Sequence, residues 1–592
     1  LEKTVSLRPG SGDALKNLMT LCEQQGYWQG VIEYGAELQG ILTEPLERFE
    51  LQLRIGDTYL KHIKDADKAV AAYRTALDYQ PKSKAAHGKI LAVLVEAERH
   101  DEAVEILERL VALEEDTKRK AQYLGAIGDV YREKKVDVEK AVDYYERALD
   151  QDNSLLKLFR SIDELLTNAK NWRRLQQSYR AMFDRVKDDD TQEQLQYKLL
   201  FNLGEVYRTR LSQFDRAKVV FEKALELKPK DIKSLQILAE LYEKDAEIEK
   251  SLDVERRLLE LEPGNVEHYR AIKRLLLELK DHDGAWVACA VLSLLGQANE
   301  REEQLYKEHA PKQIAEDATT PTANIWKDSL FSKGEDLVVG GIFAIIYQGI
   351  GSQLAPKELK DFGLKKKNQI DPKDRELLTH VFGHCGRVLG LNPMPDIFHS
   401  PKVPGLQIAE MMPPVLLAGD VMRQGQTDQE LGFVIAKALA YFHQLHVAAV
   451  IVPAETLEVL FNAAVKLFVP QYDVGALDQN PSFQELLSAL NGMAPQLRQG
   501  LQKHVSDYVE RGQKANVTRW LNQIELTANH AGLLMCNDPL VAGQIVKNEA
   551  HRTLFQAPSR LATRDKLIDL AVYAMSEEYL TLRKQLGIAI DG

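Results

Sequence analysis

Residues 55–81 read IGDTYLKHIKDADKAVAAYRTALDYQP. Small residues and aromatics recur along this stretch at helical spacing, and a proline closes it. The marked positions are Ile55-Gly56, Tyr59, Ala69, Tyr73, Ala76 and Pro81. They return as Ile127-Gly128, Tyr131, Ala141, Tyr145 and Ala148. A third copy is Leu203-Gly204, Tyr207, Ala217, Phe221, Ala224 and Pro229, and a looser fourth is Leu238-Ala239, Tyr242, Ser251, Leu258 and Pro263. The positions of Gly56 and Gly128 differ by two units of about 36. A period of this length marks stacked supersecondary units that bury their apolar faces against one another. Each unit reads as a pair of helices. The glycine and the alanine let the two helices approach closely. The aromatic at Tyr73, Tyr145 or Phe221 is expected to fill the space to the next unit. The proline ends the second helix because it cannot continue one.

Weaker copies fill the gaps. Ala103, Leu107 and Leu110 mark one, Ala285, Cys289 and Leu292 another, and residues 155–190 with Trp172 an irregular hairpin. About eight hairpins are expected, ending near residue 309. The pattern resembles the tetratricopeptide repeat, and the resemblance implies an α-solenoid that docks a peptide or a partner helix in a concave groove. The first helix of each pair would face that groove. Its candidate residues are Leu53, Asp57, Asp129, Arg132, Lys198, Phe201, Glu205, Arg208, Lys233 and Gln236. Asp57, Asp129, Glu205 and Glu240 recur at one inner position. Read as an acidic ladder they favour a basic or mixed-charge partner; read as solvated surface they favour none. Leu1, Thr4, Val5, Leu7 and Pro9 match the end of a second helix, so the chain is expected to start inside a repeat of a longer protein.

The composition agrees with a long array followed by a compact body. The chain has 592 residues, 45% of them hydrophobic and 28% charged, with a net charge of −12. Residues 1–330 hold 51 basic and 61 acidic side chains, and residues 331–592 hold 25 and 27. The first part is therefore rich in exposed surface and the second in core. No basic stripe points to nucleic acid. Cys22, Cys289, Cys385 and Cys536 lie too far apart for a disulfide framework or a zinc knuckle, and they favour a reducing, cytoplasmic compartment over a periplasmic one. The longest apolar run, 337–349, is shorter than a membrane span. Residues 310–330, with Pro311 and Pro321, read as a linker that Trp326 would pin to the array.

After the linker the periodicity predicts helices over 337–353, 371–389, 427–450, 483–508 and 519–535, and short strands over 396–400, 406–411 and 414–418. PPVLLAGDVMRQGQTDQELGFVIAKALAYFHQLH (413–446) and ELTANHAG (525–532) follow one another in that order. Together they resemble the core of the M48 family of zinc metallopeptidases. That resemblance implies an α-rich domain over 331–592 with a small β-sheet. In the family a helix carries His-Glu-x-x-His, in which two histidines one turn apart bind zinc and the glutamate activates water. Here the five positions read Lys437-Ala438-Leu439-Ala440-Tyr441. Glu525 keeps the place of the third ligand, and Asn529 replaces the supporting aspartate. A Lys437–Glu525 ion pair in the vacated place is expected. His380, His384, His443, His446 and His530 are the residues from which a displaced metal site would have to be rebuilt.

The sequence thus predicts a mainly α protein: a tetratricopeptide solenoid over 1–309, a linker over 310–330, and a degenerate peptidase-like domain over 331–592. It predicts no catalytic residue, no metal and no cofactor. The expected role is a protein-interaction scaffold. The rival is an M48-like metallopeptidase with a rebuilt site, of the kind that serves bacterial envelope quality control.

Overall fold

The computed structural model describes residues 11–311, 313–314, 324–512, 516–549, 555–556 and 561–590. The helix end read from Leu1, Thr4, Val5, Leu7 and Pro9, and the linker residues 315–323, lie outside the described residues. The protein is mainly helical, and it divides into two compact units, 1–234 and 235–592.

In the first unit the helices follow one another in pairs. Pro45–Thr58 pairs with Ala66–Tyr79, Thr117–Val130 with Val138–Gln151, and Glu193–Glu205 with Phe214–Leu227. The irregular stretch 155–190 forms the pair Leu156–Asn168 and Trp172–Val186. Second helices begin on side-chain caps: Asp65 accepts from the Lys68 amide, Asp137 from that of Lys140, and Asn171 from that of Arg174. Each cap satisfies one of the orphan amides of a first turn.

The glycines are required by the aromatics of their own hairpin. A Cβ added at Gly56 would lie 2.4 Å from the Tyr73 ring, one at Gly128 2.5 Å from Tyr145, and one at Gly204 2.7 Å from Phe221. The rings therefore press against the first helix of the same unit, and Tyr73 also meets the following one, where the Lys89 ammonium lies 5.7 Å from its ring centre. Tyr145 is fully buried and its hydroxyl is held by Asp129 at 2.7 Å, so the ring has nowhere to retreat. Gly128→Ala should cost about 1–3 kcal/mol as an overpacking change. Urea unfolding checks this. A loss under about 0.5 kcal/mol, the size of an ordinary surface substitution, would show that the ring yields freely.

One extra position in the chain also leaves its mark. The step from glycine to alanine is the same from Gly56 to Ala69, from Gly128 to Ala141 and from Gly204 to Ala217, and it is one position longer than the step from Ala239 to Ser251. In the three longer hairpins the first helix ends in a π turn, at Tyr59–Ile63, Tyr131–Lys135 and Val206–Arg210. The wider turn takes up the extra residue without unseating the glycine or the alanine on either side.

The second unit begins with the pairs that end in Ile248–Leu261 and His282–Leu294, followed by Glu300–His309. These helices share one apolar core with the C-terminal helices. His282–Leu294 is buried almost throughout, and a Cβ on Gly543 would lie 2.1 Å from Leu294. Trp326 is buried and donates its indole N–H to the Leu389 carbonyl at 2.8 Å. It is therefore anchored among the C-terminal helices and does not pin a linker to the repeats.

Helices Leu337–Leu354 and Val517–Cys536 form as expected. Three readings need correction. The 371–389 helix is shorter, Leu377–Val388. The 427–450 helix breaks into Asp428–Ala440 and Val447–Ile451, with turns at residues 441–446. The 483–508 helix is two, Pro481–Asn491 and Pro495–Glu510, because Pro495 cannot continue the first. By length and composition Leu337–Leu354 is a helix long and apolar enough to cross a bilayer, contrary to the shorter run read from the sequence. In the fold Val339, Ile342, Phe343 and Ile346 face the core. The sheet is β1 (Ile397–His399), β2 (Leu406–Ala409), β3 (Val415–Ala418) and β4 (Phe555–Gln556), ordered β1-β3-β2-β4. β3 pairs parallel with β1 and antiparallel with β2, and β2 pairs parallel with β4.

Candidate functional site

The acids read as a ladder on the repeat face are drawn inward. Asp57 accepts hydrogen bonds from the Tyr73 hydroxyl and the Lys89 ammonium, each at 2.6 Å. Asp129 accepts from the Tyr145 hydroxyl and lies 3.4 Å from the Arg132 guanidinium. Asp163, which the repeat pattern does not single out, accepts from the Tyr179 hydroxyl at 3.0 Å. All three are an aspartate on a first helix and a tyrosine 16 residues later on the second. Burial pushes the Asp57 carboxyl up, but the donors of Lys89 and Tyr73 outweigh it and hold it below its ordinary value. At Asp163 burial dominates, and the carboxyl is raised. Glu205 stands opposite Phe221, which has no hydroxyl, and pairs with Arg208 through two contacts of 3.0 Å. So two of the four ladder positions, Asp57 and Asp129, tie their own hairpins together as Asp163 does, and Glu205 is paired with Arg208 one turn further along.

The other candidates fall into two groups. Leu53 and Phe201 are half-buried, and Phe201 meets Phe221 edge-on at 5.6 Å. Lys198 and Lys233 are exposed on first helices of the first unit, and Gln236 is exposed in the second. These polar residues project from the repeats without being consumed by packing.

In the second unit the positions singled out at 437–441 and 525–529 face each other across two packed helices. Gly432 and Gly532 permit the approach: a Cβ on Gly532 would lie 2.9 Å from the Phe433 ring, and one on Gly432 3.0 Å from the Met535 carbonyl. Lys437, Ala438, Tyr441, Glu525 and Asn529 are all buried. The expected Lys437–Glu525 pair does not form. Lys437 binds Glu549, at the end of the Pro539–Asn548 helix. Glu525 is taken by Lys566, of the Thr563–Ala574 helix, at 2.5 Å, and Lys566 also reaches Glu549 at 3.1 Å. Two cations and two anions therefore join four helices. Burial works against the charge on Glu549, but Lys437 and Lys566 hold its carboxyl below the usual range. The same balance, with Glu525 and Glu549 outweighing burial, raises Lys566. A zinc ion does not fit this donor set. One carboxylate with an ammonium 2.5 Å away offers no ligand geometry.

Of the histidines, His443 and His446 come together, their ring centres 5.1 Å apart. His530 meets the Leu330 carbonyl and Asp569, and stacks on Tyr573 at 3.7 Å. His446 lies between the Ala440 carbonyl and Glu335. His380 is exposed and His384, one turn on, is buried. Among the described residues no three His, Cys, Asp or Glu side chains cluster to hold a metal. His443 packs at a tilt against Trp326, ring centres 4.7 Å apart; burial, and next to it His446, push its imidazole down to about 3. An unfolded histidine titrates near 6.5, so between about pH 6.5 and 3 the unfolded chain binds a proton that the fold refuses. Stability should therefore fall with acidity in that window, by about 2 kcal/mol from this group at pH 5. His443→Phe should flatten the fall between pH 6.5 and 5 in thermal melts. An unchanged slope would refute it.

Residues 50–83 and 197–231 each match a family profile described as Tetratricopeptide repeat. A curated relative, Protein DIA2 of Saccharomyces cerevisiae, is 42% identical over 62 residues, 10% of this chain. The match covers 8% of that relative, so the chain spans under a tenth of its length. Among solved structures, MamA is 20% identical, with 36% of this chain and 91% of that one covered and a TM-score of 0.16. The TPR2AB-domain:pHSP90 complex of yeast Sti1 is 16% identical, covering 44% and 98%, with a TM-score of 0.20. YrrB, described as a TPR protein with an unusual peptide-binding site, is 18% identical, covering 31% and 89%, with a TM-score of 0.18. The chain carries tetratricopeptide repeats, at 50–83 and 197–231.

Proposed function

We propose that the protein is an interaction scaffold that holds a protein segment on the first-helix face of its repeats and uses a degenerate M48-like domain, residues 331–592, as a structural or docking module. The observation that supports the scaffold is the contrast on the repeats. Asp57, Asp129 and Asp163 are spent on tyrosines inside their own hairpins, while Lys198, Lys233 and Gln236 project from first helices. Stacked repeats present such residues on an extended surface suited to a peptide or helix. What supports the inactive reading is the ion network that fills the place of a hydrolytic centre, with Ala438 where a general base would stand. The array is proposed to run to residue 309 and the linker over 310–330.

The test compares affinity-purified partners of the whole chain with those of a Lys198→Glu/Lys233→Glu/Gln236→Glu variant. All three residues are exposed, so the fold is kept. The expected result is a stoichiometric protein partner lost from the variant. An unchanged set of partners overturns the assignment of the face. Stoichiometric zinc, lost together with casein cleavage on chelation, would overturn the inactive reading and restore the metallopeptidase.

A further inference from the structure

A groove of about 820 Å³ opens in the second unit between Leu337–Leu354, the end of Leu377–Val388 and the turns that lead into β1 and β3. Its volume is that of sites for small organic molecules, about 300–1,000 Å³. It shares no lining residue with the ion network or with the candidate repeat face. Three aromatic side chains line it: Trp326, Tyr347 and Phe442. Trp326 is buried, with its N–H spent on the Leu389 carbonyl and its ring packed against His443 at 4.7 Å, so Tyr347 and Phe442 are the rings left to meet a ligand. Tyr347 is half-buried, and burial pushes its phenol up to about 12, so it stays a neutral ring.

The charge of the lining is one-sided. Among the described residues Asp396 is its only formally charged side chain, and the lining holds neither lysine nor arginine. The one basic group among them, His443, is kept neutral by burial at physiological pH. Asp396 is exposed, with one carboxylate oxygen accepting from the Gln369 side chain at 3.0 Å. An anionic ligand would find a carboxylate and no countercharge here. A cation would find that carboxylate together with the negative faces of the aromatic rings.

We propose that this groove binds a small organic amine, its ammonium held by Asp396 and the aromatic faces and its apolar body seated against Tyr347 and Phe442. The site is independent of the scaffold reading and uses none of its residues.

Calorimetric titration of the whole chain at pH 7 with tryptamine, and with its neutral and anionic counterparts tryptophol and indole-3-acetate, tests it. Tryptamine should bind about three- to tenfold more tightly than tryptophol, as one exposed carboxylate and cation–π contacts allow, and indole-3-acetate most weakly. Asp396→Asn keeps the acceptor for Gln369 and should bring tryptamine to the level of tryptophol. Tyr347→Leu should weaken tryptamine more than tryptophol. Equal binding of the three ligands, a preference for the anion, no heat from tryptamine at millimolar concentration, or an undiminished preference in Asp396→Asn would each overturn the proposal.

Discussion

Asp283→Ala should cost about 3–5 kcal/mol, one of the two largest single losses expected anywhere in the molecule. Asp283 and Arg583 are both wholly buried, and the guanidinium grips the carboxylate with two parallel bonds of 2.7 and 2.8 Å. The Ile590 amide donates to the same carboxylate at 3.0 Å, and the Asn537 side chain and Ile588 carbonyl accept from the guanidinium. Trp286 and Tyr579 flank the cation at 5.3 and 5.6 Å. Removing the carboxylate leaves a charge that cannot ionise away, since arginine does not give up its proton in proteins. The pair joins the His282–Leu294 helix to the Glu577–Leu586 helix, so the loss should appear in the urea transition of the second unit. The double change Asp283→Leu/Arg583→Met removes both charges and should recover to within about 1 kcal/mol of the parent, because a buried pair offsets little more than its own desolvation. A single variant within about 1 kcal/mol of the parent would show that water reaches the pair and lowers the cost of leaving a charge unpaired.

This pair also shows where the sequence stops being readable. Asp283 and Arg583 are 300 residues apart, and no spacing connects them. The hairpins were legible because their determinants are local: a glycine, an aromatic at a fixed distance further on, and an alanine between them. Even there the glycine is the wrong key at one hairpin. Ile162 stands where Gly56 and Gly128 stand, so the unit reads only as an irregular hairpin, yet Asp163 and Tyr179 keep the 16-residue spacing of the regular units. The three short strands were legible because prolines and glycines bound them. The break after Ala440 was not, because residues 441–446 continue the apolar pattern while His443 and His446 turn toward Trp326. At the candidate centre the sequence marked positions on two helices that pack against each other. It could not supply the partners, because Glu549 and Lys566 come from helices that carry no periodic signal linking them to residues 437 or 525.

Those partners decide which lysine matters more. Lys566→Met should cost about 3–5 kcal/mol, and clearly more than Lys437→Met. Lys566 contacts both carboxylates of the network, Glu525 at 2.5 Å and Glu549 at 3.1 Å, whereas Lys437 contacts Glu549. Without Lys437, Glu549 keeps Lys566 and is itself about a quarter exposed, so water and one cation still serve it. Without Lys566, Glu525 loses the ammonium beside it at a site only 4% exposed. Desolvation of that carboxylate is then offset by less, which is the costly way to break a buried pair. Adding Glu525→Gln to Lys566→Met removes the stranded charge and should regain most of the loss, whereas adding it to Lys437→Met should not help, because Lys566 then loses a partner. Urea unfolding of the four variants gives the cycle. If Lys437→Met is the more damaging single change, or if Glu525→Gln rescues it and not Lys566→Met, then Glu525 answers to Lys437 after all, and the two-helix pair read from the sequence would replace the four-helix network as the device that closes this centre.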